Sequence, residues 1–507
     1  MTTPSGFVEL VGAGPGDPGL ITVRGRAAVQ QAEVLIYDQL VHPSLLDLVR
    51  PEAERIFAGK RAGRLVYTQD EINQLLVEKA RQGKRVVRLK GGDPLVFGRG
   101  AEEAAFLRAH GIPYRIVPGV TAAVGVSGYT ELPITHRAAA SAVALVTGHD
   151  DPRDPKARVN WPSLAKFPGT LVVYMGVAHL KDICEVLIEH GMSPETPAAV
   201  VERGTWARQR SVAATLSSLP ELVSTHRLHP PALLIVGSVV NLRPERSWFE
   251  SLPLFGQRIL VTRPAEDCRL ASEQLETLGA EVLQAPTVEV QPLQDFQALD
   301  DILARIRSFD WLVFTSRHGV DAFLGRLMHL GHDARALGGL KLAAIGPGTA
   351  DQLQRWHLRA DLVPDRFLSE GLVEALSPLV LGKRVLLARA NRGRTLLCDQ
   401  LEAIAQVEQV AVYQNLDAAA LPAGVVQAME AGEIDWITLT SSAITERLFN
   451  LLPAHIREKV EREIKLVSIS PVTTATAQKL GWTVAAEAQT YTWDGVVQAI
   501  CAARLLI

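Results

Sequence analysis

LKGGDPLVFGRG, residues Leu89–Gly100, decides how the first half of this chain is read. A run of alternating β-formers, Arg85–Leu89, stops at Gly91-Gly92-Asp93-Pro94, and Gly98 and Gly100 then bracket an arginine. Adjacent glycines let another group approach bare backbone, and Asp-Pro fixes a sharp exit. A turn that serves structure alone needs one glycine. Four within ten residues, with Asp93 and Arg99 between them, point to a binding wall at the carboxyl end of a strand. A second glycine turn, VGAGPGDPGL (Val11–Leu20), precedes it. Gly12, Gly14 and Gly16 follow a strand there and loosely mimic a dinucleotide fingerprint, with Asp38 in the place of its ribose acid. The spacing disagrees: the loop reads G-x-G-x-G-D-P, and Pro15 and Pro18 stiffen a turn that ought to offer free N–H groups to phosphate.

A chain of 507 residues holds several domains, three or four at ~100–200 residues each. With 47% hydrophobic and 21% charged residues it reads as globular, and a net charge of −3 argues against a nucleic-acid partner held by phosphate neutralisation. Cys184, Cys268, Cys398 and Cys501 lie far apart, with no CxxC and no histidine at ligand spacing. Neither a disulfide framework nor a metal site is expected, and the thiols fit a reducing, cytoplasmic setting. The N-terminus lacks the basic and apolar regions of a signal peptide, and no apolar run reaches ~18 residues, so no membrane segment is expected.

The first half alternates strands with helices, an α/β pattern that predicts largely parallel sheets. The predicted strands are Val8–Val11, Val34–Tyr37, Arg85–Leu89, Tyr114–Val117, Ala142–Thr147, Thr170–Tyr174, Ala198–Val201 and Leu233–Val236. Thr68 and Glu71 form a capping box that opens an amphipathic helix. RPERSWFESLPLFG (Arg243–Gly256) has neither period and reads as a linker, its core residues 246–255. The second half repeats itself. GQRILVTR (Gly256–Arg263) returns as GKRVLLAR (Gly382–Arg389), FDWLVFTS (Phe309–Ser316) as IDWITLTS (Ile434–Ser441), and AIGPGTA (Ala344–Ala350) as SISPVTT (Ser468–Thr474), at offsets of 124–126. Two similar α/β units follow, with a ligand cleft expected between them.

Together with YDQLV (Tyr37–Val41), GKRAG (Gly59–Gly63), VPGVTAA (Val117–Ala123), VTGH (Val146–His149), YMG (Tyr174–Gly176) and VERGT (Val201–Thr205), the two glycine turns resemble uroporphyrinogen-III C-methyltransferase, of the tetrapyrrole methylase fold. The likeness spans about residues 6–245 and implies a domain over 1–245 made of two α/β subdomains. It implies S-adenosylmethionine (SAM) as methyl donor, S-adenosylhomocysteine as product, two methylations (C2 and C7) of uroporphyrinogen III to precorrin-2, and a homodimer formed through this half. By position, Pro15, Gly91, Gly92, Asp93, Val96, Thr121, Ala122, Met175 and Gly204 would line the SAM pocket, with Asp38 as proton acceptor and Lys60 as donor. Backbone groups at Gly91–Gly92 would hold the donor. Lys60, Arg61, Arg64, Lys90, Arg99 and Arg137 would meet a substrate with eight carboxylates. Outside this context Asp38 is a turn residue and Met175 a core residue.

RILVTRP (Arg258–Pro264), VFTSRHGVDAF (Val313–Phe323), VAVYQ (Val410–Gln414), LTSSAITERL (Leu439–Leu448) and the repeated proline turns resemble uroporphyrinogen-III synthase over 256–507. The likeness implies two similar parallel α/β lobes, 253–291 with 415–507 and 292–414. It also implies cofactor-free, metal-free cyclisation of hydroxymethylbilane with inversion of ring D. Tyr413 is the candidate hydroxyl donor. Thr349 and Thr473 are carboxylate-binding turn residues, and Arg263, Arg389, Thr315, Ser316, Thr440 and Ser441 candidate substrate ligands. Each Thr or Ser also reads as a helix N-cap, and Tyr413 as a core aromatic. Ser470 replaces the glycine of the earlier turn, which makes close backbone approach less assured in that lobe. The expected whole is a bifunctional enzyme of polycarboxylate tetrapyrroles on the way to sirohaem or cobalamin. The other reading is a methylase carrying a non-catalytic tetrapyrrole-binding regulator.

Overall fold

The computed structural model describes residues 6–505 apart from Pro51, Ala62, Gly63, Gly393 and Arg394; the side chains of Lys60, Arg61, Arg64, Leu65, Glu266 and Leu505 also lie outside the description. The chain divides into two compact units, Met1–Gly256 and Gln257–Ile507. No helix among the described residues is long and apolar enough to cross a membrane.

In the first unit, strands Glu54–Phe57, Val34–Tyr37, Arg85–Lys90, Phe7–Gly12 and Tyr114–Val117 form one sheet in that order, every pair parallel. All their carboxyl ends, with both glycine turns, therefore fall on one edge. The capping box forms as read: the Thr68 side chain accepts from Glu71 N–H, and Glu71 returns to the Thr68 backbone. The second sheet runs Arg210–Thr215, Pro197–Glu202, Ala232–Val236, Thr170–Tyr174, Val143–Thr147. The α/β class holds, but the parallel expectation fails here, since only the last two strands run parallel. The residues between Glu202 and Arg210 make a hairpin connection, which leaves no length for a crossover helix.

Residues 246–255 are not a free linker. Phe249 and Leu254 are buried, and Phe249 packs edge-on against Tyr129 at 4.7 Å. Glu250 accepts from Arg243 at 2.8 Å, and Gly256 N–H donates to the Ala207 carbonyl. Aromatic side chains in a stretch without periodicity are here the packing surface of a strap on the first unit.

In the second unit each repeat pattern becomes the same strand order. One sheet runs Glu281–Gln284, Arg258–Val261, Trp436–Leu439, Lys465–Ser468, Ala486–Glu487. The other runs Val288–Gln291, Gln406–Asp417, Arg384–Ala390, Trp311–Phe314, Lys341–Ala344. The first four strands of the former match the last four of the latter, all paired parallel. The lobes are not the repeats, however: each takes half of one copy and half of the other. The boundary expected at 291/292 also moves. Val288–Gln291 pairs antiparallel with Gln414–Asp417, so it belongs to the second lobe.

A buried charge cluster lies beneath the first sheet's edge. Glu103, fully buried, accepts from Lys90 Nζ at 2.9 Å and Arg88 Nε at 3.4 Å. Lys90 is thereby occupied inside the protein and does not reach a substrate's carboxylates, contrary to its reading from sequence. Removing one partner of a buried ion cluster strands the others. Glu103→Ala should therefore destabilise the first unit by about 3–5 kcal/mol. Urea unfolding of the whole chain, followed by far-UV circular dichroism, checks this; a loss below ~1 kcal/mol would refute it.

Candidate functional site

The glycine turns of the first unit meet backbone to backbone. Gly14 and Gly92 exchange hydrogen bonds, N–H to carbonyl, at 3.2 and 2.7 Å. A Cβ on Gly12 would lie 2.5 Å from Gly119 Cα and 2.6 Å from the Gly92 carbonyl oxygen. Gly91 N–H donates to the Asp38 carboxylate at 3.2 Å, and Asp38 also accepts from Leu40 N–H at 3.0 Å. Asp93 accepts from Gly119 N–H at 3.0 Å and from Leu95 N–H at 2.8 Å. The N–H groups of Gly91 and Gly92 thus both donate inside the protein. They build the wall. Other groups line it.

Those groups come from both sheets. Tyr174, at the end of Thr170–Tyr174, shares a 2.7 Å hydrogen bond with Thr121 Oγ and accepts from Ala123 N–H at 2.8 Å, which fixes the start of helix Ala122–Thr130. Phe97 stands 4.9 Å from the Tyr174 ring, and Val96 and Ala122 pack on the same cluster. Met175 follows Tyr174 and is 48% exposed; Phe97 is 40% exposed. Both have left-handed backbone, as have Arg99, Arg203 and Thr205. Five of the eight non-glycine residues at positive φ among those described therefore sit on the loops of this one site. Each costs on the order of 1 kcal/mol, and such strain gathers where geometry serves a ligand.

Gly204 packs against Val126, where a Cβ would approach within 2.3 Å, and Pro15 lies against Gly125 in the same way. Both of these sequence candidates shape the wall through contact. Arg99 is half-exposed and pairs with Glu102 at 2.7 Å, a bond a carboxylate ligand can exchange for. Lys60 lies in the two-residue strand Lys60–Arg61, and its side chain falls outside the described residues. Tyr174, Phe97, Asp17 and Trp206 were missed as site residues. Tyr174 lies in the YMG motif, Phe97 in LKGGDPLVFGRG and Asp17 in VGAGPGDPGL, whereas no quoted motif contains Trp206.

In the second unit Ser316 and Tyr413 come together, their hydroxyls 3.0 Å apart. Tyr413 is largely buried, and burial raises its pKa, so it remains a protonated donor. Ser316 also caps helix Arg317–His329 by accepting from Gly319 N–H, as Ser441 does for Ser442–Leu451. Thr315 and Thr440 precede these caps at the ends of strands Trp311–Phe314 and Trp436–Leu439. Thr349 and Thr473 lie inside the first turns of their helices, 6% and 1% exposed, so their hydroxyls are turned inward. Arg263 pairs with Asp267 at 2.9 Å and stacks over Trp493. Asp267 in turn meets Arg317 and, at 3.9 Å, His318, whose ring is 6.0 Å from Tyr413. This contact joins the two lobes beside the Ser316–Tyr413 pair. Arg389 donates to Gln409.

His42 adds a pH dependence to the first unit. It stacks on Trp206 at 4.7 Å, and Trp206 in turn leaves no room for a Cβ on Gly16. Burial pushes its pKa from 6.5 down to about 4, against a smaller upward pull from Asp17. The unfolded histidine takes up a proton as pH falls through 6.5, whereas the native one waits until about 4. Stability present above pH 6.5 is therefore lost as pH falls towards 4, by on the order of 3 kcal/mol. Urea unfolding between pH 7 and 4 should show this loss in the wild type and not in His42→Asn, which keeps the helix cap.

The profile of the tetrapyrrole (corrin/porphyrin) methylases matches residues 8–220, and that of uroporphyrinogen-III synthase HemD matches residues 270–498. A porphyrin biosynthesis protein HemD of Ruminiclostridium josui is 37% identical over 452 residues, 87% of this chain and 88% of its own. A uroporphyrinogen-III C-methyltransferase of Bacillus subtilis is 40% identical over 365 residues, 72% of this chain and 75% of its own. A solved uroporphyrin-III C-methyl transferase of Thermus thermophilus, complexed with S-adenyl homocysteine, is 41% identical, covering 46% of this chain and 99% of that one, with a TM-score of 0.40.

Proposed function

The chain belongs to the family in which a SAM-dependent tetrapyrrole methylase is fused to a HemD-type uroporphyrinogen-III synthase, and from that premise we propose that it carries out both reactions in succession. The second unit cyclises hydroxymethylbilane to uroporphyrinogen III with inversion of ring D. The first unit methylates that product at C2 and C7 to give precorrin-2, on the way to sirohaem or cobalamin. We assign the methylase to residues 1–245 with the strap behind it, acting as a homodimer, and the synthase to 256–507. The observation that carries the methylase assignment is the concentration of left-handed residues on the loops of one site.

The residues present fit SAM. Met175 and Phe97 hold apolar surface out to solvent beside Thr121 and Ala122, which suits an adenosine moiety; no phosphate has to be neutralised. When bound there, SAM supplies an electrophilic methyl group. The methylated ring then has to lose a proton, and Asp38 offers a carboxylate at the end of Val34–Tyr37, held in place by Gly91 and Leu40 N–H. Lys60 is the proposed donor. In the synthase unit Tyr413, kept protonated by burial and oriented by Ser316, donates to the departing hydroxyl so that it leaves as water. Arg263 and Arg317, now facing Asp267, supply guanidinium forks for the substrate's carboxylates. Thr315, Thr440, Ser441 and the first-turn N–H groups near Thr349 and Thr473 complete the proposed binding surface.

Purified protein given hydroxymethylbilane alone should release uroporphyrinogen III, and with SAM added the precorrin-2 chromophore. Uroporphyrinogen I as the sole first product would leave the second unit a tetrapyrrole binder without cyclase activity. Asp38→Asn should lower methylation turnover by about 10²-fold or more with S-adenosylhomocysteine affinity near wild type. Collapse of that affinity would instead make Asp38 a donor ligand. Tyr413→Phe should slow cyclisation at least about tenfold; an unchanged rate removes it as the proton donor.

A further inference from the structure

The strap Arg243–Gly256 reaches the first glycine turn by two separate routes that converge on Asp17. The aromatic route starts at Trp248 and Phe249, which hold Tyr129 between them at 5.1 and 4.7 Å. The Tyr129 hydroxyl donates to Asp17 Oδ2. Trp248 also grips the helix that carries Tyr129: its indole N–H donates to the Gly128 carbonyl at 2.9 Å and its backbone N–H to Glu131 at 2.6 Å. That helix begins at Thr121–Ala122, on the wall. The polar route starts at Glu250, which accepts from Gln209 Nε2 at 3.3 Å. Gln209 accepts from Thr205 N–H at 3.0 Å and so stabilises Thr205 in its left-handed conformation. Thr205 Oγ then accepts from Asp17 N–H at 3.1 Å.

Asp17 caps the turn Pro18–Leu20 by accepting from Gly19 N–H at 2.6 Å, and it directly follows Pro15-Gly16. Its carboxylate and its N–H are thus held from opposite sides, one from each route. Gln209 and Thr205 are almost fully buried, and burial raises the Tyr129 pKa, which keeps that hydroxyl a donor. A connection between domains has no need of two separate routes into a ligand turn. We propose that the strap is a working part of the methylase site, and that Tyr129 is a positioning residue which, through Asp17, sets the Gly12–Gly16 turn for the methyl donor. This rests on the reading of that turn as part of the SAM site.

The test uses the full-length chain. S-adenosylhomocysteine binding is measured by titration calorimetry, and SAM and uroporphyrinogen III kinetics are measured for wild type, Tyr129→Phe and Trp248→Leu. Loss of a hydrogen bond to a carboxylate should weaken S-adenosylhomocysteine and raise the KM for SAM roughly tenfold in Tyr129→Phe. The KM for uroporphyrinogen III and the melting temperature should stay near wild type, a split that a general loss of packing would not produce. Trp248→Leu should act in the same direction, and combined with Tyr129→Phe should add less than its separate effect. Restoring the ring with Trp248→Phe should recover most of the affinity. Wild-type affinity in Tyr129→Phe overturns the proposal alone. Failure of the wild type to bind S-adenosylhomocysteine overturns the SAM reading as well.

Discussion

The contact between Gly12, Gly92 and Gly119 governs the first unit. Their strands, Phe7–Gly12, Arg85–Lys90 and Tyr114–Val117, are neighbours in one parallel sheet, so their exits leave side by side on one edge. A Cβ on Gly119 would sit 2.2 Å from the Gly92 carbonyl oxygen. With side chains there the exits would have to splay apart, and the Gly14–Gly92 bridge would be lost. Glycine therefore serves close packing between loops more than access for a ligand. The wall is rigid because its donors are already satisfied, Gly91 by Asp38, Gly92 by Gly14 and Gly119 by Asp93.

Of the site's left-handed residues, Phe97 and Arg99 lie on the wall's own loop, and three lie on the loops of the second sheet. Met175, Arg203 and Thr205 follow the ends of strands of the second sheet, and Thr205 reaches Asp17 on the first glycine turn. The neighbours that offset this strain are specific: Tyr174 holds Thr121 and Ala123, and Gln209 holds Thr205. Strain and its compensation are thus adjacent in the chain. The conformation is kept locally and need not draw on the whole core.

Legibility from sequence followed the range of the interaction. The eight predicted strands and the Thr68 capping box depend on neighbours within a few residues, and all appear. Glu54–Phe57 and Arg210–Thr215 escaped because edge strands carry partly exposed, mixed side chains with no clean alternation. The roles of Asp93, Asp38 and Asp17 were hidden for another reason. Their partners lie 26, 53 and 112 residues away, and a carboxylate bound to a distant N–H or hydroxyl leaves no local pattern. Glycine and aspartate could be recognised as a site, but which of them faced a ligand could not. Trp248 and Phe249 were discounted for the same cause: a stretch with no period reads as loop until the surface it covers is known.

The repeat of the second unit shows a related limit. Similarity at one offset identifies strands that share an environment, yet says nothing about which strands pair, because sheet order is set by contacts between copies. The chain begins one lobe, completes the other and returns, so it crosses between lobes only twice. The crossings are neighbours: Ala418 N–H donates to the Thr287 carbonyl, and the strands beyond them, Val288–Gln291 and Gln414–Asp417, are paired. The covalent connection between the lobes is therefore a single two-stranded ribbon. Away from that ribbon, Asp267 of one lobe meets Arg317 and His318 of the other. Under the proposed function, a carboxylate of the substrate would offer Arg317 the same chemistry as Asp267. Exchange of one carboxylate for the other would keep the Arg317 guanidinium paired, so this contact between the lobes would not oppose binding.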